Sequence, residues 1–430
     1  MLSDEDGILG IDRTPITLIK SYLKFRYVVK TLIIFRDIFM QRNTRRNFLK
    51  SSAIGVASFV GNEALASSIE IRKITPPNLD DAYLGQKTLC YRPMRHGSPN
   101  LSVTKVGNKV IAHNYGHGGS GWTLGPGSAN YVNSLMIESK NKNGLSNKSI
   151  PIAIIGAGVI GLFTAYDLSK RGHNNIAIYA DRVDSLTSHN AGGLLAPVSM
   201  DNAPNMQATI DQIGIDAYRF YDGIAKNKNS DFKGGVLVVP TYFNNREDSG
   251  LEPYVGKVMQ PAKEVILDFG NNTTRQMVVY DDGIYMDTAI LMGELHAYMK
   301  AHGIPIIKRK INSFSDLSER FIFNCSGLGS SQLANDADVI PVQGHLIMLK
   351  NQIPQNLNYM ILVYFGEGIT EGNQKVKRSF YIFPKRLANS EQQDIGVVGG
   401  TFVEGGNPNT PNLKEFELML SGAKKFYGLI

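Results

Sequence analysis

One stretch of this chain leaves few folds open. Ile152-Ala153-Ile154-Ile155 is a short run of branched apolar residues suited to a buried parallel strand, and it runs directly into Gly156-Ala157-Gly158-Val159-Ile160-Gly161. Leu162 to Arg171 follows with helical spacing, so that Leu162, Ala165, Tyr166 and Leu168 can face a sheet; Gly172 offers a stop before His173-Asn174-Asn175. A second strand, Ile176 to Ala180, ends at Asp181, twenty residues past Gly161. Each glycine has a task in such a unit. The first makes the turn, the second lets backbone reach a pyrophosphate, and the third allows helix and strand to touch, while the helix N-terminus turns N–H groups and positive potential toward the phosphates. A GxGxxG alone is often only a tight turn, and an isolated Asp181 reads equally as a solvated loop acid. In this order they predict a doubly wound α/β unit that binds a dinucleotide, with Asp181 at the ribose hydroxyls. The motif does not say which dinucleotide.

Composition excludes several alternatives. A chain of 430 residues that is 43% hydrophobic and 19% charged is globular, with about two to three domains' worth of core, and neither disordered nor collagen-like. The net charge of +7 raises the question of nucleic acid, but no basic run is interleaved with aromatics and no zinc-finger or RNA-binding signature occurs. Much of the charge is local: residues 1 to 66 hold ten Lys or Arg against six Asp or Glu, a net of +4. Within them, Thr44-Arg45-Arg46-Asn47-Phe48-Leu49-Lys50, a weakly apolar Gly/Ala/Ser stretch and Ala64-Leu65-Ala66-Ser67 resemble a twin-arginine export signal, with cleavage expected after Ala66. That resemblance implies a periplasmic or exported protein, handled by the twin-arginine translocase; a basic amphipathic helix of the mature fold is the other reading. Translation from Met40 would give a conventional signal, leaving residues 1 to 39 otherwise as an amphipathic extension. The apolar section Ser51 to Gly61 is too short to span a bilayer, so no lasting membrane anchor is expected. Two cysteines, Cys90 and Cys325, read as buried thiols, although an exported protein could pair them. There is no CxxC, HExxH or EF-hand loop and the eight histidines are scattered, so no metal site is expected.

Beyond the fingerprint, Tyr179-Ala180-Asp181-Arg182, Leu186-Thr187-Ser188 and Ala191-Gly192-Gly193-Leu194 resemble the FAD-binding stretch of the D-amino acid oxidase family. Val110-Ile111-Ala112-His113-Asn114-Tyr115-Gly116-His117-Gly118-Gly119-Ser120-Gly121-Trp122-Thr123, continuing to Gly127-Ser128-Ala129, resembles the signature that closes D-amino acid and D-aspartate oxidases. Tyr91-Arg92-Pro93-Met94-Arg95 upstream is similar to the arginine-proline motif that precedes it in that family. Here both come before the fingerprint, so the sequence reads as circularly permuted. The Lys-, Asn-, Ser- and Gly-rich segment Glu138 to Lys148 would be the joining linker.

The resemblance implies a Rossmann-type FAD-binding domain (151 to 200 and 287 to 340) interleaved with a mixed-sheet α+β substrate domain (201 to 286 and 341 to 430). The extension and signal (1 to 66), the permuted segment (85 to 137) and the linker (138 to 150) precede them. It also implies FAD as cofactor, held by Gly156 to Gly161, Asp181, Arg182, Thr187, Ser188, Gly192, Gly193, Leu194, Ile311, Gly118, Gly119, Gly121, Trp122 and Thr123. Five glycines between Gly116 and Gly125, ahead of a helix expected near Ser128 to Ile137, would let backbone N–H groups approach a flavin.

The implied activity is oxidative deamination of a D-amino acid by dioxygen. Arg92 would clamp the substrate carboxylate bidentately, Tyr381 would donate to the same carboxylate, and the Gly119 carbonyl would accept from the amino group. No side-chain base is expected, because orientation of Cα–H toward the flavin does the chemical work. Arg95 reads as structural. The family's second substrate-side tyrosine is replaced here by Lys377, next to Arg378, a change that would favour D-aspartate or D-glutamate if the charge faces the substrate and would do nothing if it faces solvent. A glycine- or sarcosine-type amine oxidase, a quinone-linked dehydrogenase and a catalytically silent flavin binder stay open as alternatives.

Overall fold

The computed structural model describes residues 69–138, 145–386, 395–407 and 409–430. The twin-arginine segment, Met40 and part of the linker lie outside the described residues.

Two large sheets organise the chain. One has six strands in the order β12 (Ile306–Lys308), β6 (Ile176–Ala180), β5 (Ile152–Ile155), β13 (Phe321–Asn324), β4 (Lys109–Tyr115) and β3 (Asn100–Val106). All but β3 run parallel to their neighbours. All four residues of β5 are buried, as expected for a strand flanked by β6 and β13 and covered on both faces, which is why it reads as a continuous apolar run. β4 belongs to the segment ahead of the fingerprint, yet it pairs with β13 from Val110 opposite Phe321 to His113 opposite Asn324.

Helices cover this sheet. α1 (Gly121–Glu138), α2 (Val159–Lys170) and α3 (Pro204–Ala225) share its core, with Trp122, Val132, Leu162, Phe163, Ile213 and Tyr221 all buried. The fingerprint helix starts directly after Gly158 and ends as expected: Gly172 lies at φ +89°, its N–H donating to the Ser169 carbonyl (2.8 Å) and that of His173 to Leu168 (3.1 Å). The sequence places α1 too late. It begins at Gly121 and runs through Pro126, which cannot donate to the Trp122 carbonyl four residues back; the Tyr221 hydroxyl of α3 donates to that carbonyl instead, at 2.7 Å. Gly125 is accordingly a helix-packing position, since a Cβ there would stand 2.8 Å from the Phe163 ring of α2. α4 (Thr288–Ala301) starts at Asp287, whose carboxylate accepts from the N–H groups of Ala289 and Ile290.

The second sheet has nine strands: β1 (Glu70–Lys73), β9 (Lys263–Asp268), β10 (Thr274–Tyr280), β8 (Thr241–Phe243), β15 (Met360–Ile369), β16 (Lys375–Arg386), β17 (Ile395–Glu404), β14 (Val339–Leu349) and β2 (Leu84–Arg95), in that order. A ribbon of β7 (Val236–Val238) and β11 (Ile284–Met286) completes the strands. α5 (Lys414–Phe426) covers one face, where Phe416, Met419 and Phe426 pack with Phe380 and Ile382. The intervening residues of β16, Tyr381 and Phe383, point to the other face, their rings stacked at 4.2 Å. Cys90 and Cys325 are both buried free thiols, as the sequence suggests. Among the described residues no helix is long and apolar enough to cross a membrane, and no group of His, Cys, Asp and Glu is arranged to hold a metal.

Candidate active site

A cavity of about 920 Å³ opens where the two sheets meet. From the six-stranded sheet it takes the C-terminal ends of the five parallel strands: Asn114 to Gly119 after β4, Ile155 to Ile160 after β5, Tyr179 to Arg182 after β6, Arg309 to Asn312 after β12, and Cys325 to Gly329 after β13. A parallel sheet presents its ligand sites at that edge, because every loop and helix N-terminus following a strand converges there. The nine-stranded sheet supplies the opposite wall from β2, β15, β16 and β17.

Most of the residues singled out from the sequence converge on this cavity. Gly156 to Ile160, Asp181, Arg182, Thr187, Ser188, Gly192, Gly193, Leu194, Ile311, Gly118, Gly119, Gly121, Trp122, Arg92 and Tyr381 all line it. Two do not. Gly161 sits where a Cβ would run into the Gly156 carbonyl, so it serves close packing behind the turn. Thr123 is buried, and its hydroxyl donates to the carbonyl of Ala196 (2.9 Å), so it pins the 194 to 196 loop instead of facing a ligand. Thr187 and Ser188 are already committed to protein partners. Thr187 donates to the Tyr91 carbonyl (3.1 Å), and Ser188 Oγ accepts the Val159 N–H at the helix start (3.0 Å) while keeping its own hydrogen to donate. The Trp122 indole N–H holds the Ser188 carbonyl at 2.9 Å, tying the flavin-signature segment to this turn.

The two arginines of the arginine-proline motif differ sharply. Arg95 is consumed by structure: it pairs with Asp336 (2.8 Å) and Asp338 (3.1 Å) and donates to the carbonyls of His96 and Ser98. Arg92 has no carboxylate partner among the described residues. Its guanidinium donates to the Thr401 carbonyl at 2.9 Å and reaches that of Gly400 at 3.5 Å. A partly buried guanidinium carries five donors, and two carbonyls leave its charge uncompensated, which is costly unless an anion arrives. Gly344 lies beneath it, so close that a Cβ would stand 2.7 Å from the guanidinium carbon. Gly399 lies in the same way beneath Tyr381, where any side chain would strike the phenol.

Tyr381 is one wall of this pocket. Burial pushes its hydroxyl well above the usual tyrosine range, the Arg92 charge opposing that, and the hydroxyl has no hydrogen-bond partner among the described residues. Gly119 is exposed to the cavity although its neighbours are buried. A Cβ on it would meet Arg92 Cδ at 3.4 Å, so the backbone of the flavin-signature segment and the arginine are adjacent. Its N–H donates to the Ser199 carbonyl at 3.0 Å.

The charges next to Tyr381 resolve into structure and solvent. Arg378 is bound bidentately by Glu415 (2.9 and 2.7 Å), and Lys377 lies at the rim with its side chain 65% exposed, 4.0 Å from Glu367. Sequence reasoning missed Tyr364. It lines the cavity opposite Ser379 of β16, and Arg92 is near enough to counter the upward push of burial on its hydroxyl. Val363-Tyr364-Phe365 reads as any aromatic strand, so only register reveals it. Ser199, at φ +58° over the Gly118 and Gly119 backbone, left no sequence signal either.

The residues present fit a flavin dinucleotide. Asn114 Oδ1 and His117 Nε2 are buried in the cavity wall with no hydrogen-bond partner among the described residues, and burial brings His117 down to about 4, so it is neutral there. The fingerprint glycines offer bare backbone at the helix start.

Comparisons with known proteins place the chain in a family. The chain matches the FAD dependent oxidoreductase (DAO) family model over residues 151–428. It is similar to a D-amino-acid oxidase of Dictyostelium discoideum, 28% identical over 282 residues, which span 63% of this chain and 71% of that protein. A D-aspartate oxidase of Homo sapiens is 27% identical over 211 residues, 46% of this chain and 59% of the relative. Among solved structures, a glycine oxidase from Bacillus cereus aligns with a TM-score of 0.44 at 17% identity, covering 64% of this chain and 77% of the other.

Proposed function

We propose that this chain, which belongs to the FAD dependent oxidoreductase (DAO) family, oxidises D-amino acids to 2-oxo acids and ammonia while dioxygen is reduced to hydrogen peroxide. One observation carries the reading: an arginine charge without a carboxylate partner among the described residues, beside a tyrosine hydroxyl that has no hydrogen-bond partner among them and the cavity-lining backbone of Gly119, at the dinucleotide-binding edge of a parallel sheet. The names of the D-amino-acid and D-aspartate oxidases it resembles support the D configuration.

Bound FAD would supply the acceptor for the hydrogen leaving Cα. Gly156 to Ile160 would hold its pyrophosphate, Asp181 and Arg182 its ribose end, and Gly118, Gly119, Gly121, Trp122, Gly192 to Leu194 and Ile311 the rest. Arg92 and Tyr381 hold the substrate carboxylate, and the Gly119 carbonyl accepts from the amino group. Three fixed points orient Cα–H, and the wall of Leu346, Leu362 and Phe383 keeps water from the reacting bond. The permuted order is part of this proposal, supported by the pairing of β4 with β13. Export by the twin-arginine route is part of it too, resting on the sequence alone.

The test is an anaerobic titration of the FAD-loaded protein with D-amino acids, L-amino acids, glycine and sarcosine, followed by air. Bleaching of the yellow chromophore by D-amino acids and peroxide on reoxidation are expected. Bleaching by glycine or sarcosine alone would make it an amine oxidase of that type, reduction without peroxide in air a dehydrogenase, and no bleaching a silent flavin binder.

A further inference from the structure

The carbonyl that holds Arg92 comes from a residue in an unfavourable backbone conformation. Thr401 lies at φ +61°, a region β-branched residues rarely enter. It sits where two ladders lose register together: β17 slips against β14 between Gln343 and His345, and against β16 between Lys377 and Phe380. Such a conformation persists only where its surroundings over-determine it. Here the determinant is a buried histidine. Thr401 Oγ1 lies 2.6 Å from His345 Nδ1, and His345 Nε2 lies 2.9 Å from the Asn412 carbonyl.

The direction of these bonds follows from chemistry. A carbonyl only accepts, so Nε2 carries the hydrogen. The ring is fully buried, which brings it down to about 4 and keeps it neutral, so Nδ1 is a lone pair and the Thr401 hydroxyl must donate. The chain of bonds continues: Asn412 donates through its backbone N–H (3.1 Å) and side-chain amide (3.2 Å) to Gln343 Oε1, and Gln343 Nε2 donates to the Tyr91 hydroxyl at 3.0 Å. Tyr91 precedes Arg92 on β2, so the network leaves the guanidinium through Thr401 and returns to the neighbouring residue of its own strand.

We propose that His345, acting through the Thr401 hydroxyl, is a positioning residue that fixes the Thr401 carbonyl and with it the direction in which Arg92 presents its free donors to a carboxylate. This rests on the carboxylate-clamp role of Arg92 proposed above. Because His345 does not line the cavity and acts through the residue that holds Arg92, its effect is on substrate affinity and not on FAD.

Thr401→Gly separates strain from hydrogen bonding. Glycine takes positive φ freely, so relief of strain offsets much of the cost of leaving His345 Nδ1 unpaired, and the variant melts within a few degrees of the parent while lacking the donor to His345. The expected result for the FAD-loaded protein is a Kd for propionate and a KM raised about tenfold, the worth of one hydrogen bond, with kcat changed less and FAD retained. Thr401→Ser restores the parent values, and His345→Leu behaves as Thr401→Gly does. In an Arg92→Ala background His345→Leu leaves propionate binding unchanged, because the group it positions is gone. Parent-like propionate binding by Thr401→Gly, or equal weakening by His345→Leu with and without Arg92, overturns the inference. If Arg92→Ala itself leaves propionate binding unaltered, the clamp reading falls instead.

Discussion

Replacing Arg92 by alanine separates binding chemistry from folding. The side chain is held by one good hydrogen bond, to the Thr401 carbonyl at 2.9 Å, and one long one, to Gly400 at 3.5 Å. Losing them costs about 1 kcal/mol of stability, and removal of a partly desolvated, uncompensated charge offsets much of that. The melting temperature should therefore stay within a few degrees and FAD should stay bound. Catalysis should not survive as well. Two charge-assisted bonds to a substrate carboxylate are worth roughly 1.5 to 3 kcal/mol each, and because they act together a combined loss of about 3 to 5 kcal/mol is expected, about two to four orders of magnitude in kcat/KM. Arg92→Lys keeps the charge but not the planar fork and should fall between. Arg95→Ala, three residues along the same strand, should do the reverse: it leaves Asp336 and Asp338 without their cation, so it lowers the melting temperature while sparing turnover of the folded fraction. Peroxide production against D-amino acid concentration, flavin absorbance and thermal melts give all three readouts. Retention of kcat/KM within about threefold in Arg92→Ala, or loss of FAD from it, refutes the reasoning.

Side-chain preference and pH response follow from other groups. Glu247 and Asp248 line the cavity, whereas Lys377 and Glu367 face each other at the rim and Arg378 is taken by Glu415. D-Lysine should accordingly exceed D-aspartate in kcat/KM by about tenfold or more at low salt, the gap narrowing as salt screens the rim; a preference for D-aspartate would show that Lys377 reaches the substrate. Burial brings His117 and His345 from 6.5 down to about 4, so between those values the unfolded chain binds protons that the native protein does not. Stability is complete above pH 6.5 and falls as pH drops toward 4, by up to roughly 3 kcal/mol from each ring, and denaturant midpoints across pH 4 to 7 check it.

The dinucleotide unit was legible because its determinants are local. A turn of three glycines, a helix stop at Gly172 and an acid after the second strand are short-range requirements, and each stands where the spacing predicts it. The helix after the flavin signature begins seven residues before its expected start and runs through Gly125 and Pro126, two residues that disfavour a helix interior. What rescues them is distant. Phe163 needs the missing side chain of Gly125, and Tyr221 supplies a donor to the carbonyl that Pro126 leaves free. The substrate side shows the same limit. Arg92 and Arg95 are three residues apart in one motif, and only their tertiary partners make one a clamp candidate and the other a tie.

The amino-acid order by itself therefore determined the phosphate turn, the strands that lead to it and the chemical kinds of group available, because these depend on backbone conformation and residue type within a few positions. The tertiary structure alone decided which of those groups share a cavity. Ser379-Phe380-Tyr381-Ile382-Phe383 is apolar at almost every position, so no pattern in it says which face is core. The packing of α5 on Phe380 and Ile382 turns Tyr381 toward Arg92, and pairing with β15 brings Tyr364 to the same wall. Register and layer packing act between residues hundreds of positions apart, and they are set by the free energy of the whole sheet, which no single segment carries.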